Sequence, residues 1–230
     1  MENYYRCPTQ RLNFYKPMKE YKCVIFDCDG VLVDSELLGN QVFVDMANEQ
    51  GAGIDISYAM QHFKGGFLND SIRQVEAIIQ KQLPLDFEIE YRQRSYEMFS
   101  THLKPVEGVE QVLSKLTLPF CVASSGPQEK IKRNLATAGL SSFFKNNIFS
   151  CYDIGKWKPD PAIYLYASES MGYSPNECLV IEDSFKGAKA ATSGGFDVYG
   201  YTLLNEDPDF EKEVTKTFEQ MEELISLLKL

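Results

Sequence analysis

Residues 23–34 read Cys-Val-Ile-Phe-Asp-Cys-Asp-Gly-Val-Leu-Val-Asp, a short apolar run followed by two aspartates, Asp27 and Asp29. A run of this length that ends near a glycine is typical of a buried strand. Side chains two residues apart on a strand point the same way, so both carboxylates should face one small volume beyond the strand. Gly30 lets the chain turn sharply there. The pair predicts a divalent-cation site at the carboxyl end of a strand.

The chain beyond Pro105 alternates short apolar runs with amphipathic segments. Strands that alternate with helices predict an α/β fold with a doubly wound parallel sheet and helices on both faces. The strand that carries Asp27 should join this sheet. We expect strands at 119–123, 147–150, 178–181 and, as the last, 197–199, with helices at 131–138, 163–171 and 187–192.

Residues 36–104 have a helical pattern instead, with the loop Lys64-Gly65-Gly66 in the middle. Apolar stripes at 42–47, 72–83 and 91–99 predict three helices, the second of them capped by Asn69, Asp70 or Ser71. This block would therefore be a helical cap domain inserted into the core. The division we expect is an arm at 1–20 with an alternative start at Met18, a core at 21–35 and 105–230, and the cap at 36–104.

Composition excludes several classes of protein. The chain has 230 residues, 44% of them hydrophobic, and a formal net charge of −10, which disfavours nucleic acid and anionic membrane surfaces as partners. No apolar run approaches the roughly 20 residues that span a bilayer. The six cysteines form no CxxC pair, which favours reduced thiols. We expect a cytoplasmic protein, either a monomer or a weak homodimer.

Three further polar groups follow predicted strands or precede predicted helices in the second half of the chain. Ser124-Ser125-Gly126 offers hydroxyl and backbone N–H donors at a helix N-terminus, which suits an anion. Lys158 lies between two prolines and a glycine, and Glu182-Asp183 ends another apolar run. Each group alone is weak evidence, because serines, lysines and paired acids are common in turns and on surfaces.

Taken in order, the four groups resemble the four motifs of the haloacid dehalogenase-like hydrolase superfamily. A helical insertion directly after the first motif resembles the subgroup that includes phosphoglycolate phosphatases and β-phosphoglucomutases. Residues 125–127, 148–154 and 157–161 are similar to bacterial sugar-phosphate phosphatases that accept 6-phosphogluconate. The resemblance implies a phosphoric monoester hydrolase whose substrate is a small phosphorylated sugar or sugar acid, with 6-phosphogluconate as the leading candidate.

The resemblance also implies the catalytic roles. Asp27 would attack phosphorus to form an aspartyl-phosphate, and Asp29 would act as general acid and then as general base. Mg²⁺ would be bound by the Asp27 carboxylate, the Asp29 backbone carbonyl and Asp183, with Glu182 in support. Magnesium prefers such oxygen ligands.

The remaining roles concern the phosphoryl group and the rest of the substrate. Ser124, Ser125 and Lys158 would bind the transferring phosphoryl group. Lys64 and Gly65, in the cap loop, would contact the distal part of the substrate. The arginines of the insertion, by contrast, are expected to be helix-surface charges; they are Arg73, Arg92 and Arg94.

Two alternatives remain at the level of sequence. A β-phosphoglucomutase-like mutase is disfavoured because this chain has Leu68 and Gly39 where such mutases carry an arginine and a histidine. A non-catalytic protein that binds a phosphoryl group or a phosphosugar would use the same acids, magnesium and lysine. Receiver domains, however, lack a large helical insertion and need no acid at the position of Asp29.

Overall fold

The computed structural model describes residues 19–203, 205 and 207–230. Most of the expected arm, residues 1–18, lies outside the described residues. The described chain forms a six-stranded sheet in the order β3-β2-β1-β4-β5-β6, and every neighbouring pair is parallel. Its strands are β1 Cys23–Phe26, β2 Phe120–Ser124, β3 Ile148–Ser150, β4 Cys178–Glu182, β5 Asp197–Tyr201 and β6 Lys216–Phe218.

Helices cover both faces of the sheet. Alternate residues of β1 enter two different cores: Val24 and Phe26 join one hydrophobic cluster, whereas Cys23 and Ile25 join the other. All four side chains are fully buried, as expected for a central strand of a parallel sheet. The helices after β1 outside the insertion are α5 Val109–Lys115, α6 Gln128–Thr137, α7 Ser141–Phe144, α8 Cys151–Ile154, α9 Ala162–Met171, the 3₁₀ helix Pro175–Glu177, α10 Phe185–Ser193, α11 Phe210–Glu213 and α12 Glu223–Leu227.

The insertion between β1 and β2 is helical and has a hydrophobic core of its own. The ring of Phe43 lies at its centre, with ring centroids 5.1 Å from Phe63, 5.7 Å from Phe87 and 5.5 Å from Tyr91. The fold is therefore a doubly wound α/β core with a helical cap, as the sequence predicted. The cap helices are α1 Glu36–Glu49, α2 Ile56–His62, α3 Leu68–Ile79 and α4 Phe87–His102.

The structure corrects three expectations about individual elements. Residues 197–199 belong to β5, which is not the last strand, because β6 follows it and pairs with it. Strand β6 has only three residues, two of them exposed, so it has no apolar run that the sequence could reveal. Helix α2 was not expected. The N-cap of α3 is Phe67, and residues 69–71 lie within the first turn of that helix. None of the helices in the described part of the chain combines the length and apolar character that crossing a bilayer requires.

The strand order explains why the site forms where it does. The chain leaves β1 toward β2 on one side, and β4 pairs with β1 on the other side. The connections therefore diverge at the carboxyl ends of β1 and β4, and open α/β sheets bind ligands in the crevice at such a point. Asp27 follows β1 directly, and Glu182 is the last residue of β4.

We predict that Phe26→Ala destabilises the core strongly. Phe26 is fully buried, and its ring packs edge-on against Phe120 and Phe144. Large-to-small changes of this kind cost about 3–5 kcal/mol of unfolding free energy. Urea denaturation followed by circular dichroism measures the loss, with Leu165→Ala at an exposed position as the control. A loss for Phe26→Ala no larger than for the control would contradict this account of the core.

Candidate active site

Asp27 lies at the carboxyl end of β1 and is 7% exposed. Its Oδ1 is 2.6 Å from the Lys158 ammonium. Burial raises the pKa of the Asp27 carboxyl to about 8, although the charge of Lys158 opposes this shift. Neighbouring acids add to the upward shift. A second cation beside Asp27 would therefore stabilise its charged form.

Glu182 is fully buried and holds Lys158 from the other side. The Lys158 Nζ atom donates to Glu182 Oε1 at 2.7 Å, and the Tyr164 hydroxyl donates to the same oxygen at 2.7 Å. Oε2 accepts from the backbone N–H groups of Asp183 and Ser184, both at 2.9 Å. Burial alone would favour the neutral acid, but Lys158 and these hydrogen bonds outweigh it and lower the pKa of Glu182. Both oxygens of Glu182 are thus fixed by several donors.

Asp183 follows Glu182 and meets the cap loop. The Lys64 ammonium lies 2.7 Å from Asp183 Oδ2, so this lysine reaches the acidic cluster of the core. Burial raises the pKa of Asp183 to about 7, and Lys64 opposes the shift. Gly30 has a φ of +79°, and a Cβ there would collide with the Asp183 carboxylate. Only glycine fits this close approach between the first and last acidic segments.

Three of the acids could hold a metal ion together. One carboxylate oxygen from each of Asp27, Glu182 and Asp183 lies within 4.8 Å of the others, and all three residues are buried. An all-oxygen set of carboxylates suits a hard cation such as Mg²⁺. The residues present therefore fit the predicted metal.

Asp29 has partners that the sequence reasoning did not identify. Its carboxylate accepts hydrogen bonds from the Ser35 hydroxyl at 2.5 Å, the Lys130 ammonium at 2.6 Å and the Asn134 amide at 3.4 Å. Burial favours the neutral acid, but the charge of Lys130 and these hydrogen bonds outweigh it and lower the pKa of Asp29. Lys130 and Asn134 lie four residues apart on α6, so they face the same side of that helix.

Ser124 and Ser125 lie between the end of β2 and the start of α6. Ser124 Oγ accepts a hydrogen bond from the Gly126 N–H at 3.1 Å. The buried Ser125 hydroxyl finds no oxygen or nitrogen partner among the described residues. A buried donor without such a partner suits a ligand oxygen. Both serines line the same cavity as Asp27 and Lys158.

The cavity extends from these residues under the cap. Gly65 and Gly66 line it, whereas Lys64 is turned toward Asp183 and is not among the lining residues. Gly65 has a φ of +67°, and a Cβ there would collide with the Ser184 side chain, so the cap loop approaches the core closely. Helix α4 also contributes to the wall of the cavity; its lining residues are Tyr91, Arg92, Ser95, Tyr96 and Phe99.

The expectation that Arg92 is a helix-surface charge was wrong. Its side chain is 21% exposed and lines the cavity. It donates at 2.7 Å to the hydroxyl of Tyr152, which lies on α8 of the α/β domain. Arg73 and Arg94 are more exposed and form ion pairs within the cap, as expected. Sequence periodicity could not distinguish these arginines, because all three lie in polar stretches of cap helices.

Aromatic contacts connect cap and core beside the cavity. The Phe67 ring, directly after the cap loop, stacks on Trp157 at a centroid distance of 4.0 Å. Tyr152 packs edge-on against Trp157 at 5.1 Å and against Phe67 at 6.3 Å. The Trp157 indole N–H also donates to the Ser125 carbonyl at 3.2 Å. These contacts fix the segment that carries Lys158.

Comparisons with known proteins agree with this geometry. The profile of the family described as haloacid dehalogenase-like hydrolase matches residues 21–195. The chain is 31% identical over 215 residues to the 6-phosphogluconate phosphatase of Escherichia coli K12, covering 92% of this chain and 96% of that protein. It is 28% identical to a phosphorylated carbohydrates phosphatase of Thermotoga maritima, covering 90% and 98%.

Solved structures show the same relationship. A haloacid dehalogenase-like protein of unknown function from Agrobacterium tumefaciens superposes with a TM-score of 0.79 at 28% identity, covering 91% of this chain and 98% of that one. A putative β-phosphoglucomutase from Thermotoga maritima gives 0.71 at 25% identity, covering 90% and 98%. The chain belongs to the haloacid dehalogenase-like hydrolases, and its relatives support a phosphatase of this family.

We predict that Tyr164→Phe destabilises the protein because it removes one of the hydrogen bonds to the buried Glu182 carboxylate. A hydrogen bond to a charged group contributes about 1.5–3 kcal/mol. The unfolding free energy, measured by urea denaturation, should fall by about that amount. Tyr166→Phe, on the same helix but more exposed, is the matched control and should change it by less than about 0.5 kcal/mol. Equal values for the two variants would contradict this role of Tyr164.

Proposed function

We propose that the protein is a Mg²⁺-dependent phosphatase for a small phosphorylated sugar or sugar acid, with 6-phosphogluconate as the leading candidate. The observation that carries this proposal is the meeting of Asp27 with Lys158, Glu182 and Asp183 at the carboxyl ends of β1 and β4. The Escherichia coli relative, which is a 6-phosphogluconate phosphatase, supports the choice of substrate.

In this proposal Asp27 is the nucleophile. Its carboxylate attacks phosphorus, the bond from phosphorus to the sugar oxygen breaks, and an aspartyl-phosphate forms. Lys158, 2.6 Å from Asp27, offsets the charge of the attacking carboxylate. Glu182 holds Lys158 in place and is not itself one of the residues that line the cavity. A water molecule then attacks phosphorus and releases phosphate and the free Asp27.

Asp29 serves as the general acid and then the general base. It lines the cavity next to Asp27 and can reach a leaving oxygen there. Lys130 and Ser35 favour its charged form, which is the form that takes a proton from the attacking water. To protonate the leaving group Asp29 must first carry a proton.

Asp27 and Asp183 would bind Mg²⁺ directly, together with the backbone carbonyl of Asp29, and Glu182 would support them. When bound, the ion supplies positive charge that neutralises carboxylate and phosphate together. The ion pairs of the site support this assignment, because three lysines are shared among four acids. Lys158 pairs with both Asp27 and Glu182, Lys130 with Asp29 and Lys64 with Asp183.

Ser124, the Ser125 N–H and Lys158 would bind the phosphoryl oxygens. The buried Ser125 hydroxyl adds a further donor toward the same cavity. Gly65 lines the cavity and would contact the substrate, and Lys64 would do so from the same loop after leaving Asp183. Residues 36–104 act as the cap domain that excludes bulk water from the reaction and admits only small substrates. We place this activity in the cytoplasm, in a monomer or weak homodimer.

A phosphomutase is the second candidate, because putative β-phosphoglucomutases are among the structural relatives. Two cavity residues disfavour it. Leu68 and Gly39 line the cavity and offer no side-chain donor to a second phosphate. Formation of glucose 6-phosphate from β-glucose 1-phosphate, measured with a coupled dehydrogenase, would favour the mutase. A protein that only binds phosphosugars would show no hydrolysis of p-nitrophenyl phosphate with magnesium.

We predict that Asp27→Asn abolishes turnover, because an amide is a poor nucleophile and binds magnesium weakly. The initial rate of phosphate release from 6-phosphogluconate and from p-nitrophenyl phosphate measures the effect. Asp34→Asn, at an exposed acid of the same segment, is the control and should keep wild-type activity. Retention by Asp27→Asn of a tenth or more of kcat, a barrier change of only about 1.4 kcal/mol, would exclude Asp27 as nucleophile.

We predict that EDTA abolishes activity, that magnesium restores it and that calcium inhibits, since its larger and looser coordination shell misplaces the phosphoryl group. Asp183→Ala should raise the magnesium concentration needed for half-maximal rate by at least about tenfold. Asp45→Ala, at an exposed acid of the cap, should not. Full activity of the wild type in EDTA would remove the metal from the mechanism.

A further inference from the structure

Among the described residues, Lys130, Lys158 and Arg92 are the cations that line the cavity, and Lys64 and Lys186 lie beside it. Lys186 donates to the His62 carbonyl at 3.4 Å, whereas the other three lysines are bound to acids of the catalytic cluster. Lys158 pairs with Asp27 and Glu182, and Lys130 and Lys64 pair with Asp29 and Asp183 respectively. Arg92 makes no ion pair with any of these acids among the described residues. Its ion-pair partner is Glu88, one turn earlier on α4 and outside the cavity lining.

The contacts of Arg92 leave part of its guanidinium available to a ligand. Nε and Nη2 donate to Glu88 Oε1 at 3.0 and 2.6 Å, and Nη2 also donates to the Tyr152 hydroxyl at 2.7 Å. Nη1 donates to no acceptor in the described part of the chain. Glu88 therefore holds the guanidinium from outside the cavity and leaves the two N–H groups of Nη1 as donors.

Tyr152 supplies a second donor at the same place. Its hydroxyl oxygen accepts the hydrogen bond from Arg92, so its own proton remains for another acceptor, and no described residue takes it. The ring packs edge-on against both Phe67 and Trp157, which stack on each other, and these contacts fix the position of the hydroxyl. Arg92 belongs to the cap and Tyr152 to the core, and both line the cavity. The pair is thus assembled only where cap and core meet.

We propose that Arg92 and Tyr152 form the subsite that binds the distal carboxylate of a phosphorylated sugar acid, and that this pair rather than Lys64 sets the preference for sugar acids. The inference rests on the proposed function. An Nη1 N–H of the guanidinium and the neighbouring phenol O–H match the two oxygens of a carboxylate, and charge-assisted hydrogen bonds of this kind are about twice as strong as neutral ones. An uncharged hydroxymethyl group in the same place would gain much less.

The test compares two substrates of equal length that differ only at the distal end, 6-phosphogluconate and glucitol 6-phosphate. The readout is the ratio of their kcat/KM values. The wild type should prefer the acid by about tenfold or more, since a hydrogen bond to a charged group changes affinity by that order. Arg92→Ala should reduce this ratio by at least about tenfold, mainly through KM for the acid, and Arg92→Lys should restore part of it.

Arg94→Ala is the matched control. Arg94 lies on the same helix and also pairs with a glutamate one turn earlier, but it does not line the cavity, so the ratio should stay at the wild-type value. Tyr152→Phe should lower the ratio by a smaller factor. If Arg92→Ala fails to fold, as judged by circular dichroism, Arg92→Gln, which keeps most of the side-chain length, decides by the same ratio.

The outcomes separate this inference from the function on which it rests. A wild type that hydrolyses neither substrate nor p-nitrophenyl phosphate would overturn the phosphatase itself. A wild type that hydrolyses acid and alditol equally well would overturn the subsite and leave the phosphatase in place. An unchanged ratio in Arg92→Ala, or a collapse of the ratio in Lys64→Ala alone, would show that Arg92 does not read the carboxylate.

Discussion

Lys158 places one buried ammonium between Asp27 and Glu182, and the rest of the site depends on this arrangement. Burying carboxylates is costly unless a cation and hydrogen-bond donors compensate them. Glu182 is compensated by Tyr164 and by two backbone N–H groups as well as by Lys158, whereas the pKa of Asp27 remains raised to about 8. A metal ion would therefore stabilise the charged form of Asp27.

The cap contributes to the site as well as covering it. Lys64 reaches Asp183, the stacked rings of Phe67 and Trp157 connect the cap loop to the segment of Lys158, and Arg92 contacts Tyr152. Cap movement would therefore change charges and hydrogen bonds at the catalytic acids, in addition to solvent access. This coupling gives a physical reason for a phosphatase to cleave its substrate only when cap and core are in contact.

The sequence predicted those site residues that also mark the end of a strand or the start of a helix. Asp27 and Glu182 could be placed because each closes an apolar run that forms a strand, and Lys158 because Pro159 and Pro161 follow it at the entry to a helix. Lys130 could not, since it is an ordinary lysine on an amphipathic helix whose packing alone brings it to Asp29. The burial of Arg92 likewise depends on how the cap lies on the core. Strand β6 is too short and too polar for periodicity to reveal it.

The central claim is that Asp27 carries the phosphoryl group during turnover. Rapid acid quench of the enzyme mixed with excess substrate and magnesium, followed by peptide mass spectrometry, tests it directly. The account predicts one added phosphoryl group on the peptide that contains Asp27, and none on that peptide in Asp27→Asn. In Asp29→Asn a larger fraction of the peptide should be phosphorylated, because hydrolysis of the intermediate should slow more than its formation. Rapid substrate turnover with no phosphorylated peptide in either the wild type or Asp29→Asn, or phosphorylation at another residue, would contradict it.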